Sequence, residues 1–476
     1  MGKRAAASIL EGIDLTQLTE EEADAIYERG KESVIWALLQ LAAMVQGNGK
    51  PSPSTPSSQI PPYLKENGSK RGKNKKKPGA QPGHNGSRRK KPDRIDRPEE
   101  HTLEKCPICG GAVSEPTETH TRIIEDIPVT RPEVVEHHIP RCYCKKCKKL
   151  VEPRVPDALP GADLGHRTFA LSAWLHYGLG HSLSQIASVL DTTFQHTVSA
   201  GGLLHGWSRL AMIFEPWYHR IADLACESSV LHADETGHRV AGQTRWLWCF
   251  ATPEVTYYHI DDSRGEKALQ EFFLEAYQGV LVTDFWPAYN RVLCDKRQMC
   301  LVHLLRELEK VDQRNLSPAW TEFRATLKRL LRDAIRLWKR ENLSPEEFAS
   351  KRKRLGHRLA ELIDSKQKDA DAKRLVKRLK QYRDALFTFL DEPGVPFDNN
   401  LAEREIRPAV LMRKNSFHNM TNEGALVQAM LMTVFRTLKR RGLNPVDAMV
   451  EALREYVVTG QLPPLPERPA ATENPP

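Results

Sequence analysis

Apolar residues recur at seven-residue spacing between Thr19 and Gln46: Tyr27, Val34 and Leu41, with Leu38 and Val45 between them. Thr19 and Glu22 form a capping-box pair ahead of them. The pattern predicts one helix over 1–46, interrupted by Gly30 and Lys31. It is either a short coiled coil that joins copies of the chain or a helix packed on its own domain. From Gly47 the pattern stops. Residues 47–100 are rich in Pro, Ser, Gly, Lys and Arg, cannot bury enough surface to offset chain entropy, and predict a linker that is disordered when free.

Helical periodicity returns from Asp163 to about Leu224. Three helices are expected there: His166–Tyr177, Leu183–Leu190 and His196–Trp207, the last two separated by Asp191-Thr192-Thr193. The short middle helix and polar turn fit a helix-turn-helix over 161–226. A plain three-helix packing unit fits nearly as well, because the third helix carries little positive charge and contains Gly201-Gly202.

Ser228 to Cys300 alternates short β-rich runs with one helix. Val230–Asp234 and Gly279–Asp284 read as buried strands, each delivering an Asp at the carboxyl edge of a sheet. Thr244–Phe250 and Val255–Ile260 predict hairpin strands, and Gly265–Tyr277 a helix. Leu304–Leu390 is almost all helix, with Pro345 as one interruption. Helices follow at Asp398–Met412 and Glu423–Lys439. A last one starts at Asn444-Pro445, a cap followed by a first-turn proline, and stops before Gly460.

Composition narrows the class. The 476 residues are 40% hydrophobic and 28% charged, which is globular and excludes a wholly disordered chain. No apolar run approaches the ~20 residues of a membrane span. Met1–Asp14 lacks the apolar stretch of a secretory signal, so a cytoplasmic protein with no membrane partner is expected. The net charge of +9 hides an asymmetry. Asn67–Pro92 holds ten Lys/Arg and no acid, and Thr321–Arg383 holds 20 Lys/Arg against 9 Asp/Glu. Such surfaces are either solubilising or built for a polyanion, and nucleic acid is the usual one. In the linker, Lys75, Lys76, Lys77, Arg88, Arg89 and Lys90 are DNA-binding candidates.

The cysteines point to metal in a reducing compartment. Cys106-x-x-Cys109 and Cys144-x-x-Cys147 are two CxxC knuckles, which together fill the tetrahedral shell of one structural Zn²⁺. A zinc-ribbon DNA-binding domain is therefore expected over 101–160, its metal supplying most of the folding free energy. Cys142 competes with Cys144 as a ligand, and His137 and His138 lie nearby.

Three acids stand in distinctive settings: Asp234 and Asp284 at the two strands, and Glu403 one turn inside the helix opened by Asp398-Asn399-Asn400. Carboxylates held close together repel, and divalent cations make such a cluster favourable at neutral pH. Two Mg²⁺ ions, with Mn²⁺ able to substitute, can activate a water or a 3′-hydroxyl. Strands, helix, strand and a late acidic helix follow the order of an RNase H-like α/β core. It would span 227–412 with a basic helical insertion at about 305–395, followed by a C-terminal helical domain and tail over 413–476. The fold class is multidomain α+β. Glu235 reads as a neighbour that supports the site.

The chain resembles the insertion-sequence-66 family of DDE transposases. The resemblance rests on Pro78-Gly79-Ala80-Gln81-Pro82-Gly83-His84, the two CxxC knuckles, Asp234-Glu235-Thr236, Cys300-x-x-His303, Asp398-Asn399-Asn400 leading to Glu403, Arg407 and Pro408, and Arg413-Lys414-Asn415-Ser416-Phe417. It departs at Ala80 and at Phe417-His418-Asn419-Met420. The resemblance implies a bacterial, nucleoid-associated enzyme that binds double-stranded DNA at the terminal repeats of its element and at the target. It also implies accessory proteins encoded alongside and the catalytic acids Asp234, Asp284 and Glu403. Cys300 and His303 become supporting residues near the site, or a buried strand end. Arg404, Arg407, Arg413 and Lys414 become candidates to hold phosphates, or partners of nearby acids. Trp286 and Tyr289 either stack on a displaced base or pack the core. A structure-selective nuclease without strand transfer, or an inactive DNA-binding derivative, is the alternative reading.

Overall fold

The computed structural model describes residues 20–28, 30, 34, 92–116, 118–416 and 419–469. Of the N-terminal helix, α1 (Glu20–Glu28) is described. The remaining heptad positions other than Val34, the six linker cations and the Pro78–His84 stretch lie outside the described residues.

The cysteine-bearing module has one short hairpin, β1 (Cys142–Cys144) with β2 (Lys149–Val151), paired antiparallel. Among the described residues between the knuckles there is no further strand, and Ile108 in the first knuckle and Ile124, Ile127, Val129 and Val134 beyond it are exposed. Apolar burial contributes little to this module.

Next come α2 (His166–Ala173), continued by one π-helical turn, α3 (Leu183–Phe194) and α4 (Ala200–Cys226). Ser182 and Gln185 close a capping box on α3, and Ser199 caps α4 through the Gly202 N–H at 3.1 Å. The third helix starts later than expected and runs well past Trp207, through Pro216, because Leu203, Trp207, Leu210, Phe214 and Ile221 keep one face buried. Gly206 is required where α2 crosses: a Cβ there would sit 2.0 Å from the Phe169 ring. These helices are part of the main core.

A five-stranded mixed sheet follows, in the order β5-β4-β3-β6-β7. The strands are β3 (Val230–Val240), β4 (Gln243–Ala251), β5 (Thr256–Asp261), β6 (Tyr277–Thr283) and β7 (Cys294–Met299). β3, β4 and β5 pair antiparallel, while β3–β6 and β6–β7 pair parallel. One expectation is corrected here. β3 does not end at Asp234 but continues to Val240, where Ala241 and Gly242, both at positive φ, make a two-residue hairpin turn into β4. The helix expected to reach Tyr277 is α5 (Glu266–Phe272), and Tyr277 opens β6.

The rest is helical: α6 (Leu301–Asp312), α7 (Pro318–Trp338), α8 (Pro345–Asp364), α9 (Ala370–Gln381), α10 (Thr388–Asp391), α11 (Asn400–Ser416), α12 (Asn422–Arg440) and α13 (Pro445–Thr459). The interruption expected at Pro345 is present: α7 ends at Trp338, and Pro345 is the first residue of α8 behind a Ser344–Glu347 capping box. Asn444 caps α13 and Gly460, at φ 82°, ends it.

Two apolar cores result. One joins β3–β5 to α2–α5 and α11–α13. The other joins β6 and β7 to α6–α10. Successive strand residues point to opposite faces, and β6 divides the cores accordingly: Leu281 belongs to the first, Val280 and Val282 to the second. No helix among the described residues is long and apolar enough to cross a membrane.

α11 is bound to α12 by a buried carboxylate. Glu405 accepts Arg436 Nη2 at 2.8 Å and Arg440 Nη1 at 2.8 Å. Removing one member of such a set strands the others without compensation. Glu405→Ala should therefore cost about 3–5 kcal/mol, read from urea denaturation of the metal-loaded chain. A loss below about 1 kcal/mol would show that the two guanidiniums find water instead.

Candidate active site

The parallel pairing of β3 with β6 runs Val230↔Val280, Leu231↔Leu281 and His232↔Val282. The same offset carried two residues further sets Asp234 beside Asp284. β6 ends at Thr283, so Asp284 stands just past a strand end while Asp234 lies inside a strand still paired with β4, opposite Cys249. Asp284 Oδ1 accepts the Trp286 N–H at 2.8 Å, and Asp234 Oδ1 accepts the Glu235 N–H at 3.0 Å.

The third acid arrives through Asn399, which has no solvent exposure. Its Nδ2 donates to the Ala233 carbonyl at 2.8 Å, and its Oδ1 accepts His232 Nδ1 at 3.0 Å. Its backbone N–H donates to Cys300 Sγ at 3.3 Å. Two residues earlier, the Phe397 carbonyl accepts the Leu301 N–H at 2.9 Å. The segment entering α11 is thereby tied both to β3 and to the β7–α6 junction. Glu403 follows in the first turn of α11, its N–H bonded to the Asn399 carbonyl. Its carboxylate lies 3.3 Å from Arg306 Nη1 and 3.7 Å from His303 Nδ1.

The ligand atoms of Cys300, His303 and Glu403 all lie within 4.8 Å of one another. Those of Asp234, Asp284 and Glu403 do not form such a group; their link is electrostatic. Burial, then the Glu235, Asp284 and Glu403 carboxylates, push the Asp234 carboxyl well above the usual range. Burial also raises Asp284, against the pull of His303, the Trp286 N–H, Arg264 and Arg378. Such a set is costly to ionise without added positive charge. Its hard oxygen donors are of the kind Mg²⁺ takes. Burial pushes the Cys300 thiol up to about 12, so this residue sits in the site as a neutral group that accepts the Asn399 N–H.

Glu235 points to the other face of β3 from Asp234, as strand alternation requires. Arg264 Nη2 reaches its Oε1 at 2.7 Å and the Tyr289 hydroxyl its Oε2 at 2.6 Å. Burial and Asp284 together push it up to about 7 even so. The Arg264 guanidinium stacks 3.6 Å from the Trp286 ring centroid and 4.6 Å from that of Trp246. Tyr289 is fully buried, which rules out stacking on a base and leaves core packing. Arg264, Arg306 and Asn399 are contacts that sequence reading missed. The two arginines carry no local signal; Asn399, within a quoted motif, was readable only as part of it.

The profile of the transposase IS66 family matches residues 162–426, more than half of the chain, and contains all three acids. The chain belongs to the IS66 transposase family. The profile of the zinc-finger binding domain of transposase IS66 matches residues 104–148, which hold both knuckles. Three similar proteins come from Sinorhizobium fredii (strain NBRC 101917 / NGR234), and their names describe them as uncharacterized. Protein y4qI is 26% identical over 240 residues, spanning 44% of this chain and 43% of that protein. Protein y4jD is 24% identical over 392 residues, 75% of each chain. Protein y4hP is 24% identical over 416 residues, 76% of this chain and 72% of its own.

In this IS66 transposase each knuckle is formed locally. Gly110 and Lys148, each just after a second cysteine, take positive φ. The Cys147 N–H turns onto Cys144 Sγ at 3.4 Å rather than onto Cys142. Backbone N–H groups from Cys109 and Ile108 lower the Cys106 thiol, and those of Cys147 and Lys146 contribute to lowering Cys144. Thiolate-favouring turns of this kind suit Zn²⁺, although no three of the four sulfurs lie mutually within 4.8 Å. Arg404, Arg407 and Lys414 are exposed on α11, whereas Arg413 is half-buried and donates to the Gly237 carbonyl.

The clasp has a pH signature. Burial lowers His232 to about 4, against 6.5 for the free side chain, so the neutral imidazole donates its Nδ1 hydrogen to Asn399. Between those values the unfolded chain binds a proton that the native one does not. Stability from this group is present above about 6.5 and is lost as pH falls toward 4, by on the order of 3 kcal/mol. In denaturation from pH 7 to 4.5, His232→Gln should fall less steeply than the parent; parallel curves would remove His232 from the linkage.

Proposed function

We propose that this transposase binds the terminal inverted repeats of its element and cuts and joins DNA strands at Asp234, Asp284 and Glu403. The observation that carries the reading is the in-register parallel pairing of β3 with β6, together with the Asn399 clasp that brings α11 to the same edge. A mixed sheet with a three-stranded antiparallel half, a parallel half and a late acidic helix supports an RNase H-like core over 227–412 with an insertion at about 305–395. The three acids would hold the ions, and bound Mg²⁺ supplies the charge that activates water or a 3′-hydroxyl and stabilises the leaving oxygen.

The chain's own residues prepare that pocket. Arg306 holds Glu403 at the start of α11, with the His303 ring beside it. Arg264 and Tyr289 fix Glu235 on the face of β3 opposite Asp234. Trp286, braced by Arg264, fixes the Asp284 oxygen. Arg404, Arg407 and Lys414 fall at helical spacing on one exposed stripe and suit the phosphates next to the scissile bond. The ribbon contributes Lys145, Lys146, Lys148 and Lys149 beside its second knuckle for backbone contact.

Asp284→Asn should abolish Mg²⁺-dependent cleavage of end-containing DNA while leaving end binding unchanged, with products mapped to the nucleotide. Surviving cleavage would remove Asp284 from the site. Cys109→Ser should lower the zinc content of the purified chain and weaken recognition of the ends. Full zinc content in that variant would overturn the ligand set.

A further inference from the structure

Charge gathers a second time in the helical insertion, apart from the acids. α7 and α8 pack together, and a cleft of about 280 Å³ opens between them. Arg336 from the last turn of α7 and Arg340 just beyond it face Lys351, Arg354 and Arg358 from α8. Asp333 is the one acid in the lining. It accepts Arg336 Nη1 at 3.3 Å and Arg358 Nη1 at 2.9 Å, leaving both guanidiniums with further donors. The side chains of Arg340, Lys351 and Arg354 have no ion-pair or hydrogen-bond partner among the described residues.

Opposite charges one turn apart on a helix face offset each other. The face of α8 turned to this cleft instead repeats cations at 351, 354 and 358, broken only by Leu355. Five cations against one acid leave a net charge of four to be met by something outside the chain. At about 30 Å³ per water, the cleft has room for a phosphate group. Guanidinium forks match its oxygens, which a lone ammonium does not.

The cleft also shares a frame with the acids. Trp338, between Arg336 and Arg340, packs edge-on against Phe397 with centroids 5.3 Å apart. Phe397 is the residue whose carbonyl holds α6, two positions before Asn399. We propose that the α7–α8 cleft seats a phosphate of the DNA backbone, independent of sequence. This rests on DNA as the partner but not on the assignment of the acids.

The test is binding of full-length, zinc-loaded protein to a terminal-repeat duplex and to a scrambled duplex, without added Mg²⁺, across a salt series. Arg340→Ala/Arg354→Ala should weaken both duplexes by the same factor and reduce the slope of log affinity against log salt by about 1–2. Asp333→Asn frees two guanidiniums and should tighten both. Arg332→Ala, exposed on α7 outside the cleft, is the control and should change binding less. Equal effects at Arg332, or a double variant with unchanged affinity and slope, would overturn the proposal. So would inorganic phosphate bound at the cleft while DNA affinity stays unmoved by the variants. Repeating the series in Asp284→Asn separates this result from the acid-site reading, because neither outcome there depends on cleavage.

Discussion

The arrangement depends on one buried amide. Asn399 spends its side-chain donor and acceptor on β3 and its backbone N–H on Cys300. Those contacts join the middle strand of the sheet, the start of α6 and the start of α11. Because the amide is fully buried, each unmet bond would carry a desolvation penalty of about 1–3 kcal/mol. Its position is therefore sharply determined, and Glu403, four residues on, inherits that position. The neutral state of His232 belongs to the same arrangement, since a charged imidazole would be buried without a counter-charge.

Around that clasp the protein keeps apart carboxylates that would otherwise repel. Strand alternation turns Glu235 to the opposite face from Asp234, where Arg264 and Tyr289 occupy both of its oxygens. Asp284 is steadied by a backbone N–H and the surrounding cations, and Glu403 by Arg306. The remaining cost is concentrated on Asp234, the acid that all the others raise. A pocket with that balance gains from any positive charge brought to it.

The helical segment α6–α10 has an inner and an outer face. Its inner faces form the second core and cover β6 and β7. It keeps its own buried carboxylate, Glu307, neutralised by Arg374 and Arg378. Its outer cleft leaves cations unmatched, and the Phe397–Trp338 contact ties that cleft to the segment carrying Asn399.

Local chemistry made much of this legible without coordinates. Helical spacing of 3.6 residues, the Asn444 cap and Gly460 stop, and CxxC turns act over a few neighbouring residues, so the chain itself determines them. The fifty-residue offset between Asp234 and Asp284 was visible for the same reason, as two apolar runs with one ending. What could not be read were the partners set by long-range packing. The continuation of β3 past Asp234 depends on its pairing with β4. The length of α4 depends on a face buried against α2 and the sheet. The matching of Arg264 to Glu235, Arg306 to Glu403 and Asn399 to Ala233 spans 29, 97 and 166 residues. Side chains that far apart meet only once the sheet and its two cores have formed, because no local propensity encodes which distant group will satisfy a buried charge.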